Sequence, residues 1–158
     1  MVGFLKTHSG KKGEGMPVVR NPQYYFKEGF CWTDVNSTYL KARLKKSGVF
    51  DVLSMSLFTQ VLIPDLYFVS IINSRLISFY VDNFINNTSH FQINDARQLP
   101  VIIPSKEKLK EFETLFNDAV EIKIAQFSNE ISNEEAEHKL SKIQEQVDEK
   151  VNELYRIA

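Results

Sequence analysis

Two groups of side chains in this chain of 158 residues have the types and spacing to do chemistry. The first is cationic: Lys11, Lys12, Arg20, Lys27, Arg43, Lys45 and Lys46, all within the first third. The second is a loop dense in amides and hydroxyls, Asn86-Asn87-Thr88-Ser89-His90, continuing to Gln92 and Asn94. Lys and Arg neutralise phosphates, while Asn and Gln carry the paired donor and acceptor that match an adenine edge in the major groove. Lys45-Lys46-Ser47-Gly48 makes a basic turn, a shape that lies along a nucleic-acid backbone. The loop has a second reading as a solvated turn whose asparagines hold left-handed positions.

The charge distribution agrees with a one-faced contact. The net charge is −1, but it divides into about +6 for residues 1–50, about −2 for 51–100 and about −5 for 101–158. A basic first third attracts a polyanion, and an acidic last third stays solvated. Arg43, costly to bury, either pairs with an acid such as Asp51 or faces phosphate. Trp32 reads as core. Asp34 would repel phosphate, while Asp95 and Arg97 read as clamps within their turn.

Other chemistries find little footing. The single cysteine, Cys31, rules out an internal disulfide framework and suits a reducing cytoplasm. His8, His90 and His138 are scattered without metal-ligand spacing. Gly10-Lys11-Lys12-Gly13-Glu14-Gly15 runs into Met16 rather than the Gly-Lys-Ser/Thr of a phosphate loop. Asn86-Asn87-Thr88-Ser89 contains glycosylation sequons, which without export are a polar turn. The N-terminus lacks the apolar core of a signal peptide, and Gly3 stands one place too late for myristoylation. The apolar run Leu66 to Val81 is interrupted by Asn73, Ser74 and Arg75, so no membrane span is expected. Neither a nucleophile elbow nor a dinucleotide fingerprint is visible, which leaves a self-contained enzyme the weakest reading.

The elements that must position these residues form an α+β chain: a small mixed, curved sheet with a packed helix, then an antiparallel helical hairpin. Strands are expected at Tyr24–Phe26, Tyr39–Leu44, Val49–Leu53 and Met55–Phe58, with Gly29 as a break. One helix is expected from about Leu66 to Asn83, capped by Asp65, with Leu66, Val69, Ile72, Leu76, Phe79 and Tyr80 on its buried face. A loop follows to Gln98, then an extended segment between Pro100 and Pro104. Ser105 caps the first long helix, with Leu109, Phe112, Phe116, Val120 and Phe127 as its apolar stripe. Ser132-Asn133-Glu134-Glu135 is a capping box for the second, which carries Ala136, Leu140, Ile143, Val147, Val151 and Leu154. The division is 1–17 flexible leader, 18–104 body, 105–158 hairpin.

Two motifs carry a family resemblance. Tyr24-Tyr25-Phe26-Lys27-Glu28-Gly29-Phe30-Cys31-Trp32 is followed in order by Ala42-Arg43, Phe50-Asp51-Val52, Ile72-Asn73-Ser74 and Ile93-Asn94-Asp95 to Leu99-Pro100. This series, over roughly residues 18 to 158, resembles the target-recognition region of adenine-specific DNA methyltransferases of type IIG restriction–modification and BREX-type phage-defence systems. The family's pattern has small hydroxyl residues where Asp34 and Ser37 stand, and Asp34 departs from it. The resemblance implies a DNA sequence-recognition module with double-stranded DNA as one partner and a methyltransferase catalytic domain or subunit as the other. It implies no cofactor in this chain, with S-adenosylmethionine bound by the catalytic half. Asn21-Pro22-Gln23-Tyr24 stands one residue away from the family's catalytic Asn-Pro-Pro-Tyr, without the preceding buried strand that motif needs. A second class of function is a non-catalytic assembly module that docks through its hairpin.

Overall fold

Gly29 opens the central strand instead of breaking one. A Cβ there would lie 2.4 Å from Leu57 O, so only glycine lets the neighbouring strand come this close. The computed structural model describes residues 21–35, 39–50 and 54–157. The leader 1–17 with Lys11 and Lys12 lies outside these residues, as do Arg20, Ser37, Asp51 and the end of the expected strand Val49–Leu53.

The architecture is α+β. Strands β1 (Gly29–Thr33), β2 (Ala42–Lys45) and β3 (Ser54–Leu57) form one sheet in the order β2-β1-β3. Both pairings are antiparallel, where the sequence suggested a mixed sheet. Trp32 stands opposite Ala42 and Met55, and Cys31 opposite Arg43 and Ser56. Side chains alternate along a strand, so Phe30 and Trp32 share the core face while Cys31, Thr33, Arg43, Ser54 and Ser56 share the other. Tyr24–Phe26 is not a strand. Pro22 presets a helical φ, and Pro22–Tyr24 forms a 3-10 turn that ends with Phe26 at φ 63°. Its rings find partners at the sheet's end: Tyr24 stacks on Phe58 at 5.1 Å, and Tyr25 meets Phe50 edge-on at 5.1 Å.

The helix expected from Leu66 to Asn83 is broken in two. Helix α1 is Asp65–Ile72, α2 is Arg75–Tyr80, and a π turn Val81–Ile85 closes the run. Pro64 is the cap residue, and Asp65 is the first helical one, accepting a hydrogen bond from the Thr59 hydroxyl. The break has two causes. Ser74 Oγ donates to Ile71 O (2.7 Å) and accepts from Ile77 N–H (3.3 Å), ending one helix and capping the next. Asn73 turns its amide onto β2, accepting from Ala42 N–H (2.6 Å) and donating to Ala42 O (3.0 Å). That clasp occupies part of an edge that would otherwise present bare backbone groups. The change of phase after the break leaves Phe79, expected inside, 60% exposed.

Helix α3 is Ile93–Ala96, α4 is Lys106–Phe127 and α5 is Asn133–Tyr155. Ser105 and Ser132 cap the long helices through Lys108 N–H (3.3 Å) and Glu135 N–H (3.1 Å). Phe112, Leu115, Ala136, Val147 and Val151 are buried in the hairpin. Burial on α4 ends at Leu115, so Val120 and Phe127 at its far end are exposed rather than packed. Lys150 pairs with Glu111 (2.6 Å) and Lys108 with Glu153 (3.4 Å) across the two helices. The proline-bounded strap is held by two tyrosines: the Tyr67 hydroxyl donates to Ile102 O and the Tyr155 hydroxyl to Pro100 O. Burial pushes both phenols above their ordinary range.

Trp32 and Tyr67 are fully buried at the centre of the core. Phe68 of α1 stacks on Phe30 at 5.7 Å, which fixes the sheet to the helical layer.

Candidate nucleic-acid interface

The two motifs that are some sixty residues apart in sequence meet in space. Trp32 Nε1–H donates to Phe91 O (2.9 Å), and the two rings lie 5.7 Å apart. Phe91 N–H donates to Asp34 O (2.8 Å), and Val35 and His90 form an isolated β-bridge. His90 Nδ1 lies 2.7 Å from Oδ2 of the buried Asp34. Asp34 is therefore an anchor for the amide loop, set back from any surface that would meet phosphate. These contacts fasten the loop 86–92 to the Thr33 end of β1.

The basic turn stands at the opposite end. Lys45 pairs with Gly29, the first residue of β1. Four strand steps separate the two ends, about 14 Å. Between them Arg43 is exposed opposite Cys31, its guanidinium reaching Ser54 Oγ (3.5 Å). The sheet thus brings Arg43 and the basic turn onto one framework with the amide loop.

The cations differ in how much they have left to offer. Lys45 Nζ lies over the rings of Phe58 (4.8 Å) and Phe50 (5.3 Å) and donates to Lys27 O (3.3 Å). Lys27 Nζ lies over Tyr24 (5.1 Å). Both hold the aromatic cluster together by attraction between cation and ring face, worth about 0.5–1 kcal/mol each at an exposed site. Lys46 and Arg43 are exposed.

The loop residues differ in the same way. Asn86 Nδ2 donates to His90 O (2.8 Å) and Asp95 Oδ2 (3.1 Å), and its Oδ1 accepts from Thr88 N–H (2.9 Å). That amide is spent inside the loop. Gln92 N–H donates to Asp95 Oδ2 (2.8 Å), so Asp95 ties α3 to the loop, and Arg97 reaches Asn94 Oδ1 (3.2 Å). Asn87 and Ser89 are exposed, and among the described residues no hydrogen-bond partner engages either side chain. Among the described residues of the loop, Asn87 thus presents an exposed amide that no hydrogen bond holds.

Lys41, Asn73, Arg75 and Gln144, none of which the sequence marks as a site residue, surround a notch beside β2. The available signal was the alternation Lys41-x-Arg43-x-Lys45. Among the described residues, no group of three or more His, Cys, Asp and Glu could hold a metal ion. None of their helices is long and apolar enough to cross a membrane. No family model matches the chain, and no curated protein matches it.

Proposed function

We propose that this chain is the DNA sequence-recognition module of a modification methyltransferase, working in the cytoplasm with a catalytic half that carries S-adenosylmethionine. The observation that carries this reading is the arrangement along β1. Arg43 on β2 and Lys46 just beyond it are exposed cations, and Asn87 is an exposed amide in the loop that Trp32 and Asp34 fasten to the Thr33 end of β1. Cations position a duplex without reading it, and an amide at a base edge discriminates. A strand and a clamped loop support the two kinds of group before DNA arrives.

The test separates these two roles. Lys46→Gln weakens binding about equally on every duplex sequence. Asn87→Ala costs about 1–3 kcal/mol at one base pair and leaves non-specific affinity nearly intact. Equal effects of both variants on all sequences would remove the reading function. The chain alone takes up no S-adenosylmethionine, because the cofactor belongs to the catalytic half. Calorimetry that detects micromolar binding to this chain would contradict the division of labour.

A second reading rests on the hairpin tip. Val120, Ile124 and Phe127 recur on one face of α4 and are 41%, 58% and 80% exposed. An apolar stripe of this kind suits assembly, and it is compatible with docking of the catalytic half.

A further inference from the structure

The lead-in to β2 and the hairpin enclose a notch of about 290 Å³, lined by Tyr39, Leu40, Lys41, Asn73, Arg75 and Gln144. Its amides are already used. Asn73 clasps Ala42, and Gln144 Nε2 donates to Asn73 O (3.3 Å) and Asp148 Oδ1 (3.2 Å). Its cations keep donors to spare. Asp148, with a side chain only 11% exposed, accepts from Arg75 N–H (2.8 Å) and faces Arg75 Nε at 3.3 Å. That contact orients the guanidinium by one edge and leaves its two terminal nitrogens for a ligand. Arg75 remains 68% exposed. Lys41 is exposed, and among the described residues no partner engages its ammonium. Against the single charge of Asp148, the notch holds one positive charge in excess.

We propose that this notch is a phosphate subsite for the backbone of duplex DNA, held by Lys41 and the outer edge of Arg75. The proposal rests on the DNA-recognition reading and carries the contact from the sheet onto its junction with α5. An Arg edge and a neighbouring ammonium suit a group with several anionic oxygens. A polyanion fits better than a lone carboxylate because the notch continues a row. Lys41 and Arg43 stand on either side of the buried Ala42 and lead toward the ring-bound Lys45, at about 6.8 Å per two-residue step. A DNA strand carries one charge per ~3.4 Å of axis, so each step of the row spans about two of them. Tyr39, 57% exposed, supplies an aromatic wall for the sugar or base beside the phosphate.

The test is fluorescence anisotropy of the full chain on a labelled duplex between about 50 and 200 mM salt. Lys41→Gln is expected to flatten the log–log salt slope by about 0.9, so that the wild-type advantage shrinks about 3.5-fold across that range. Lys41→Arg should restore the slope, and Lys123→Gln, on the far half of α4, should leave it unchanged. Lys41 is exposed, so the thermal midpoint of Lys41→Gln should match the wild type and exclude misfolding as the cause. A steep wild-type slope that Lys41→Gln leaves intact would overturn the notch and leave the wider DNA reading standing. A flat wild-type slope would overturn both.

Discussion

Asn73 shows how a residue that breaks one element secures another. Its amide exchanges both hydrogen bonds with Ala42, as a neighbouring strand would. Asn73→Ala leaves a partly buried N–H and C=O without partners, a loss of about 2–3 kcal/mol. The thermal midpoint should fall by about 5–10 °C, and amide exchange should quicken at Ala42 more than at Trp32. An unchanged exchange rate at Ala42 would mean that the clasp does not secure the strand. At this scale the sequence was legible where the chemistry was local. Asp95 serves as the clamp its turn suggested, and Trp32 is core as its type suggested. His90 and Asp34 could not be paired in advance, because their contact depends on a β-bridge between residues far apart in sequence. The same limit hid Arg75, whose exposed edge exists only because Asp148 of α5 holds the other.

Among the elements, the long helices were the most legible, since Ser105 and Ser132 announce their starts and a 3.6-residue period runs through each. The period does not tell which apolar positions find a neighbour. Val147 is buried and Phe127 is 80% exposed, yet both continue their stripes. Val147→Asp should therefore cost about 3–5 kcal/mol as a buried unpaired carboxylate. Phe127→Glu should stay within about 0.5 kcal/mol of the wild type. Equal thermal midpoints for the two variants would refute this division of the hairpin into a packed base and an open tip. The hairpin also carries a pH signature. Lys150 holds the Glu111 carboxyl below its ordinary value of 4.5, and Glu111 in turn raises Lys150. A carboxylate with a depressed folded pKa contributes fully above pH 4.5 and loses that contribution as pH falls through its folded value. Acid titration of the thermal midpoint should thus fall less steeply below pH 4.5 in Glu111→Gln than in the wild type. The short elements were harder. The aromatics of Tyr24 to Phe26 satisfy strand propensity, but Pro22 and the ring contacts with Phe50 and Phe58 turn them into a cap.

Over the whole molecule, the sheet sets the separation between the basic turn and the amide loop, and the helices anchor that sheet from its Trp32 face. The α+β class with a terminal hairpin followed from composition and period. The antiparallel order β2-β1-β3 did not, because strand order depends on which edges meet after collapse. The proposed recognition of DNA rests on the cations of β2 and its flanks meeting a polyanion. Its most direct test is the salt dependence of wild-type binding to duplex DNA. With phosphate contacts from at least Lys41, Arg43 and Lys46, log K against log salt should fall with a slope of about −2.7 or steeper, since each contact contributes about −0.9. A slope near zero, or no binding to any duplex at about 50 mM salt, would contradict it.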